Sequence, residues 1–416
     1  MILRARIVIP LSHPPIEDGA VCISGDRILW VGRRAEIPAS HVYGEETDLG
    51  EMILMPGLVN AHCHLDYTGM AGQIPPPKSF TDWIKSMVAL KLSWNLEEFA
   101  ASWRRGAEML LRTGTTTVAD IESVPELIPS AWQSTPLRVI SFRELLNVKS
   151  RSSASEIVER AVNDWLGLPE ARGRVGLSPH APYSTSAELL EWSARAAHRR
   201  KWRLTTHVAE SEQEFEMFMY RQGAMFDWLK GQRDMSDCGR GSPVQHLERC
   251  GYLDESLLAA HVNYLWRHDA GVLGRNRVSV VHCPRSNDYF RHLRFPREEL
   301  ETAGVNLCLG TDSLATVRKE REQPLELNLF AEMQTLAAKS PELAPETILR
   351  MATVNGAQAL GRKGDLGELS PNALADLITI PFSRPEPEAF EAIVYHKGEV
   401  ASSMIGGAWV VRPGAD

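Results

Sequence analysis

Two histidines flank a cysteine in the segment "NAHCHLDYTG", which follows the apolar run "ILMPGLV". Side chains of an extended strand alternate between its two faces, so His62 and His64 share one face while Cys63 points away. Two imidazoles on one face can bind a single metal ion. A His-x-His pair is common by chance, so the interpretation as a metal site depends on further ligands elsewhere in the chain.

Further candidate ligands follow apolar runs that have the character of buried strands. These runs end at "LVNAHCH", "TTTVADIE", "LRVISFRE", "RVGLSPHAP", "WRLTTHVAE", "SLLAAHVNY", "RVSVVHCP" and "VNLCLGTDS". The polar residues at or near their ends are His62, His64, Asp120, Arg143, His180, His207, His261, His282 and Asp312. A chance distribution would not favour strand ends in this way, so the pattern predicts one shared site.

Helical stretches such as "TSAELLEWSARAAHRR" separate these runs. About eight alternating β and α units predict an α/β fold, a (β/α)8 or TIM barrel, in which active sites lie at the carboxyl ends of the strands. A doubly wound sheet is the alternative, but its glycine-rich fingerprint does not follow the first strand.

Short β-rich pieces joined by Gly and Pro turns occur at both ends of the chain, among them "RARIVIP", "GAVCISGDRILWVG", "ADLITIPF" and "SMIGGAWVVRP". They predict a small β-sandwich domain built from both termini. We expect residues 1–55 and 365–416 to form this domain and residues 56–364 to form the barrel.

The composition excludes several function classes. A net charge of -8 argues against nucleic acid or an anionic membrane as the main partner. The six cysteines form no C-x-x-C pair, so neither a disulfide framework nor a zinc knuckle is indicated. The first residues lack the apolar core of a signal peptide, and no window is apolar enough to span a bilayer. These features favour the cytoplasm.

Two histidines of the first strand, a third from a middle strand and a carboxylate from the last strand could complete one metal site. Neutral imidazoles with one carboxylate suit Zn²⁺ or Fe²⁺ better than Mg²⁺ or Ca²⁺. Such a site leaves a position for water, whose pKa the metal would lower to near 7.

Five motifs carry a family resemblance: "PGLVNAHCHL", "HVAES", "AAHVNYL", "HCPRSN" and "LGTDS", in this order. The chain resembles the amidohydrolase superfamily, specifically its aminohydrolase branch of purine and pyrimidine deaminases and triazine hydrolases. The segments "SPHAPYSTS", "HVAESEQEFE" and "SFTDWI" are most similar to deaminases of adenine nucleosides, such as S-adenosylhomocysteine deaminase and aminodeoxyfutalosine deaminase.

The resemblance implies a role for each residue of the centre. The implied metal ligands are His62, His64, His207 and Asp312, with His261 to orient the attacking water and Glu210 to move protons. Asp312 would also pass the water proton to the departing amine. The fourth strand ends in "LSPHAPYS" without the lysine that a two-metal site requires. We therefore expect one divalent metal, Zn²⁺ with Fe²⁺ as the alternative.

Substrate contacts are expected from a second set of residues: His180, Arg143, Glu144, Trp83 and His282. The chain departs from S-adenosylhomocysteine deaminase at one position. Where that enzyme has a ribose-binding glutamate, gapless alignment places Leu92, next to Lys91. The departure favours similarity to aminodeoxyfutalosine deaminase.

The expected activity is hydrolysis of the 6-amino group of an adenine-type nucleoside, with release of ammonia. Candidate substrates are aminodeoxyfutalosine, S-adenosylhomocysteine, methylthioadenosine and adenosine. Guanine or cytosine deamination and triazine hydrolysis are alternatives within the branch. A barrel without catalysis that acts as a scaffold is the alternative from another class. The expected partner is a small-molecule substrate, and the superfamily suggests a homodimer.

Overall fold

The computed structural model describes residues 1–41, 44–75, 77–148, 150–168, 174–318 and 325–414. This part of the chain contains sixteen strands: β1 (Ile2–Val8), β2 (Ile16–Ser24), β3 (Arg27–Arg33), β4 (Glu46–Asp48), β5 (Met52–Pro56), β6 (Leu58–Cys63), β7 (Thr115–Glu122), β8 (Arg138–Leu145), β9 (Arg174–Pro179), β10 (Arg203–Val208), β11 (Leu257–His261), β12 (Ser279–His282), β13 (Asn306–Leu309), β14 (Leu377–Pro381), β15 (Ser402–Ile405) and β16 (Ala408–Val411).

The α-helices of the same residues are α1 (Phe80–Ser93), α2 (Leu96–Arg112), α3 (Ile128–Gln133), α4 (Ala154–Leu166), α5 (Ala187–Arg200), α6 (Glu212–Tyr220), α7 (Gly223–Leu229), α8 (Pro243–Arg249), α9 (Asp269–Arg275), α10 (Pro284–Phe290), α11 (Arg297–Thr302), α12 (Leu329–Lys339), α13 (Pro345–Met351), α14 (Val354–Ala359) and α15 (Ala389–Val394). Among these residues, no helix has the length and apolar character needed to cross a bilayer.

Strands β6 to β13 pair in chain order as one parallel sheet. The last strand returns to the first, because Cys63 and Asp312 form a parallel bridge and the Asp312 N–H donates to the carbonyl of His62 at 3.1 Å. The sheet is therefore closed, and the predicted (β/α)8 barrel is confirmed. All eight predicted barrel strands are present.

Local sequence explains where several barrel helices begin. The Asn95 side chain accepts hydrogen bonds from the first turn of α2, and Glu98 completes a capping box. Ser186 caps α5 and Ser211 caps α6 in the same way, each with a side-chain oxygen that accepts a backbone N–H. The Ser211 cap fixes the turn that follows β10 and so positions the residues between the strand and the helix.

The terminal strands form a second, mixed sheet in the order β16-β15-β14-β5-β1-β2-β3, with β4 beside β1. A β unit built from both ends is thus confirmed, but its strands share one hydrogen-bonded sheet where the sequence analysis expects the two sheets of a sandwich. The reason is that β5 pairs with both β1 and β14 and joins the two termini. Ile28 of β3 and Met404 of β15 share one apolar core, so the sheet curves around that core.

Candidate active site

Four side chains from three parts of the barrel meet at the carboxyl ends of its strands. Nε2 of His64 lies 3.1 Å from Nε2 of His207. Oδ1 of Asp312 lies 3.7 Å from Nε2 of His62 and 3.8 Å from Nε2 of His64. The potential ligand atoms of the three histidines all lie within 4.8 Å of one another. The structure therefore brings the predicted ligand set together.

Hydrogen bonds orient two of these side chains. Nδ1 of His207 lies 2.7 Å from the carbonyl oxygen of His180. A carbonyl only accepts, so Nδ1 carries the proton and Nε2 keeps a free lone pair toward the cluster. Ser286 and Thr316 donate to Oδ2 of Asp312 at 2.6 and 3.2 Å. These two bonds leave Oδ1 of Asp312 to face the histidines.

The donor set fits a divalent metal. Both ring nitrogens of His62 and Nδ1 of His64 are buried and have no hydrogen-bond partner among the described residues. Burial, together with neighbouring histidines, lowers the pKa of both residues well below the ordinary value, so their imidazoles are neutral. Buried, neutral nitrogens without partners are costly unless they bind something. Three imidazoles and one carboxylate are ligands typical of zinc and of ferrous iron.

Glu210 and His261 lie beside this cluster. Glu210 occupies the turn between β10 and α6, where Asn263 donates to its backbone carbonyl at 2.9 Å. Nε2 of His261 is 3.7 Å from Oε1 of Glu210. Burial raises the pKa of Glu210 well above the ordinary value, and Asp312 and Glu214 raise it further. The environment of Glu210 therefore favours the protonated carboxyl group more than solvent would.

The backbone of the site is strained at several strand ends. Ala209, His261, Val262 and Asp312 are non-glycine residues with φ of 50°, 73°, 51° and 52°. This left-handed region is unfavourable for residues with a Cβ and persists where the surrounding fold enforces it. Two of the four strained residues are His261 and Asp312 themselves. The surrounding fold therefore holds these two candidate side chains in conformations that an unconstrained chain would disfavour.

A cavity of about 290 Å³ opens onto the cluster. His64, His207, Glu210, His261 and Asp312 line it, and so do three predicted substrate residues: Trp83, Glu144 and His180. An apolar wall completes it, formed by Ile84, Met87, Val88, Leu146, Val148 and Leu229. The cavity thus joins a polar, metal-fitting end to an apolar surface, as small-molecule sites commonly do.

Two predicted substrate residues do not line this cavity. Arg143 lines a neighbouring cavity with Ser123, and Glu144 lines both cavities. The ring of His282 instead stacks on Phe295, with centroids 4.0 Å apart.

Several cavity residues were not predicted from the sequence. Tyr67 stacks on His64 with ring centroids 5.1 Å apart, and Lys91 of α1 contacts the Tyr67 hydroxyl. Tyr183 and Trp228 also line the cavity. Tyr67 and Tyr183 lie within "NAHCHLDYTG" and "SPHAPYSTS", so proximity to these motifs could have indicated them. Lys91 and Trp228 lie on helices, where no local signal distinguishes a cavity residue from a surface residue.

Comparisons with known proteins agree with this geometry. The Amidohydrolase family profile matches residues 53–410, and an imidazolonepropionase-like composite domain of bacteria matches residues 19–41. A 5-methylthioadenosine/S-adenosylhomocysteine deaminase of Syntrophobacter fumaroxidans is 32% identical over 386 residues, which are 89% of this chain and 81% of that protein.

Solved structures share the complete fold. An adenosine deaminase from Xanthomonas campestris with bound zinc is 25% identical, with a TM-score of 0.83 over 99% of this chain and 92% of that chain. The aminofutalosine deaminase of Helicobacter pylori, in complex with methylthio-coformycin, is 20% identical, with a TM-score of 0.87 over 99% and 100% of the two chains. A triazine hydrolase from Arthrobacter aurescens, 21% identical over 100% of this chain and 96% of that chain, has a TM-score of 0.82. With its closed barrel, its clustered histidines and a profile match over most of its length, the chain belongs to the amidohydrolase family.

Proposed function

We propose that this protein removes the 6-amino group of an adenine-type nucleoside by hydrolysis and releases ammonia. The observation that carries the proposal is the position of Glu210, a buried carboxylic acid, beside a metal-fitting cluster in one cavity. Water adds to an aromatic ring carbon only if the adjacent ring nitrogen takes up a proton. A protonated carboxyl group that faces the cavity can supply that proton.

Relatives of known activity class support the choice of substrate class. The Syntrophobacter protein is named a deaminase of 5-methylthioadenosine and S-adenosylhomocysteine, and the Xanthomonas structure is an adenosine deaminase. The triazine hydrolases, at 21% identity, share the fold alone. An adenine nucleoside is therefore the first class to test.

His62, His64, His207 and Asp312 would hold the metal. A divalent metal bound there supplies a Lewis acid that lowers the pKa of water to near neutrality. Zinc is our first choice and ferrous iron the second. We propose one ion per chain, because His62 is common to the two groups of potential ligands, Asp312 also lies near His64, and β9 contains no lysine. His261 would orient the attacking water.

The two carboxyl groups, Glu210 and Asp312, transfer the protons. Glu210 gives its proton to the ring nitrogen next to C6 while the water oxygen bonds to C6. Asp312 takes a proton from the same water and passes it to the amine. The C6–N bond breaks and ammonia leaves. The second proton of the former water returns to Glu210 as the C6 carbonyl of the hypoxanthine nucleoside forms. Trp83 and His180 line the same cavity, and we propose that they contact the substrate.

Arg143 and His282 remain weaker candidates for binding the substrate. Arg143 would have to act from the neighbouring cavity. His282, whose ring stacks on Phe295, would have to act from outside the main cavity. Glu144, His180 and Trp83 line the main cavity and should therefore be mutated before Arg143 and His282.

The test is a comparison of kcat/KM, measured as ammonia release, across a panel of amines. The panel contains aminodeoxyfutalosine, methylthioadenosine, S-adenosylhomocysteine, adenosine, adenine, guanine, cytosine and an aminotriazine. We expect one of the nucleosides to be the best substrate. If guanine, cytosine or the triazine were the best substrate, the nucleoside proposal would be wrong. The proposed metal-dependent hydrolysis would still hold.

We also propose a cytoplasmic homodimer that acts on small molecules. The six free, buried cysteines fit a reducing compartment. The proposal of a dimer rests on the resemblance to the superfamily, which suggests a homodimer. Light scattering after size exclusion, together with fractionation of the cells that make the protein, tests both statements.

A further inference from the structure

Another cavity, of about 860 Å³, lies at the end of the barrel opposite the candidate active site, where β9 and β10 begin. Six cationic side chains line it: Arg174, Arg200, Lys201, Arg203, Arg275 and Arg277. We propose that this basic groove binds a small polyphosphate anion. The proposed metal ligands lie at the other end of the strands, so the inference goes beyond the proposed deamination and does not depend on it.

The cations of the basic groove outnumber its carboxylates, although the chain as a whole has a net charge of -8. The two acidic lining residues already have partners. Glu255 lies 3.0 Å from Arg277, and Asp254 lies 3.4 Å from Nδ1 of His198. Four cations of the groove have no carboxylate partner among the residues that the structure describes: Arg174, Arg200, Lys201 and Arg275.

Helix ends explain only part of this positive charge. Arg200 and Arg275 lie in the last turns of α5 and α9, where basic side chains interact favourably with the helix dipole. Arg174 and Arg203 instead begin strands. Arg203 pairs with Gly176, two residues after Arg174, so both arginine side chains leave the sheet on the same side. Neighbouring like charges repel, and a bound anion would compensate them.

Arg203 is held in place with most of its donors free. Its Nη1 donates to the backbone carbonyl of Glu255, and an added Cβ at Gly361 would lie 2.3 Å from its Nη2. A guanidinium has five N–H donors, and Arg203 uses one of them within the described part of the chain. Burial lowers the pKa of Arg203, and the charge of Arg174 adds to this effect, whereas Glu255 and Asp254 oppose it. An arginine nevertheless stays charged, so the groove presents fixed, charged donors.

The donors, the volume and the net charge together favour a polyphosphate. Guanidinium groups form paired hydrogen bonds with phosphate oxygens, and lysine adds a point charge. The cations come from β9, β10, α5 and α9, so a chain of phosphate groups reaches more of them than one phosphate does. A long nucleic acid or an anionic membrane would extend beyond the groove and meet the negative charge of the remaining surface.

The test is calorimetric titration of the metal-loaded protein with inorganic tripolyphosphate at about 0.15 M salt, where distant surface charges are screened. We expect one tripolyphosphate per chain with a Kd below about 1 mM. Orthophosphate should bind about tenfold or more weakly, because it engages fewer cations at once.

Arg174→Gln and Arg203→Gln should each weaken tripolyphosphate binding by about tenfold, since hydrogen bonds between charged groups are lost. Arg199→Gln removes the same charge from an exposed position of α5 outside the groove lining. This matched control should change the Kd by about twofold or less. Tripolyphosphate also chelates metal, but that heat should be the same in every variant, and elemental analysis of the recovered protein measures it.

Circular dichroism shows whether each variant folds, and Arg174→Gln keeps the inference testable if Arg203→Gln does not. Failure of the wild-type protein to bind tripolyphosphate saturably would overturn the inference. So would a Kd that both groove variants leave unchanged, or one that Arg199→Gln weakens equally. Binding of duplex DNA or phosphatidylserine vesicles that is tighter than binding of tripolyphosphate, and that Arg174→Gln abolishes, would also overturn it, because the groove would then serve a macromolecular partner.

Discussion

Burial and one directed hydrogen bond prepare the clustered histidines for a metal. His62 and His64 are neutral because water is excluded from them, and the carbonyl of His180 sets the tautomer of His207. Asp312 is oriented by two hydroxyl groups. At the scale of the residue, two of the four proposed ligands, His207 and Asp312, are therefore oriented by neighbours outside the proposed ligand set, as is common in protein metal sites.

His207→Ala removes the ligand whose Nε2 lies closest to another ligand atom. We expect metal affinity to fall by about tenfold or more, since even loss of an outer-shell partner costs about 10- to 100-fold. Turnover should fall with it. Elemental analysis and ammonia release measure the two effects. His198→Ala, an exposed histidine of α5, is the control. Full metal content in His207→Ala would show that the ligand assignment is wrong.

Glu210→Gln removes the proton donor while keeping the size of the side chain. We expect normal metal content and a kcat lower by about 100-fold or more, because proton transfer commonly contributes about 10²- to 10⁴-fold. In wild type, burial raises the pKa of Glu210, and kcat should decline as the pH rises through that pKa because the acid form is lost. An unaltered kcat would remove Glu210 from the mechanism. Glu212→Gln, on the exposed side of the same turn, serves as control.

Secondary-structure elements bring the ligands together by closing the barrel. β13 approaches β6 closely at Gly310, where an added Cβ would lie 2.7 Å from the carbonyl oxygen of His62. Asp312 follows two residues later and donates its N–H to that same carbonyl. The spacing of the first and last strands thus sets the distance between two proposed ligands.

Gly310→Ala should push β13 away from β6. We expect a loss of bound metal and of activity together with lower stability, since small-to-large changes in packed positions typically cost about 1–3 kcal/mol. Urea unfolding and metal analysis measure both. Gly271→Ala, inside α9 and near only the end of a flexible arginine, should be tolerated. If Gly310→Ala bound metal as wild type does, close strand approach would not control the site.

The strands could be predicted well because they follow local rules, whereas the choice of His207 as the third proposed ligand came from the family resemblance. Continuous apolar runs indicate buried parallel strands, and a polar residue just beyond each run falls on the functional face. The positions of Arg143 and His282 outside the lining of the main cavity could not be obtained this way, since they depend on how other elements pack around each side chain. The contact between Lys91 and Glu144 joins residues 53 positions apart, and no local pattern reports it.

Local sequence also could not predict that the strands from both ends of the chain form a single sheet. The composition of the terminal pieces indicates β structure, yet whether eight short strands form one sheet or two depends on how β5 pairs. That pairing connects distant parts of the chain and is decided by tertiary packing.

In the molecule as a whole, the two sheets are joined by a buried ion pair. Arg138 of β8 donates to both carboxylate oxygens of Asp376, just before β14, at 3.0 Å each. The side chains are 10% and 3% exposed. Breaking such a pair leaves an uncompensated buried charge, which is much more costly than losing a surface pair.

Asp376→Asn should therefore destabilise the protein by about 3–5 kcal/mol. Because the change lies outside the cavity lining, the folded fraction should keep the wild-type kcat. Denaturant unfolding with activity per folded molecule measures both. Asp365→Asn, in an exposed pair with Arg27, should cost about 1 kcal/mol or less. Equal costs for the two variants would show that the buried pair does not join the sheets energetically.

The most direct test of the central claim is a metal titration of the metal-free protein, with ammonia release from the best nucleoside of the panel as the readout. The four proposed ligands, of which Asp312 lies near both His62 and His64, should bind one Zn²⁺ or Fe²⁺ per chain. We expect activity to rise in proportion to added metal and to reach its plateau at one equivalent. A plateau that requires two equivalents, or ammonia release that does not depend on metal, would contradict the account.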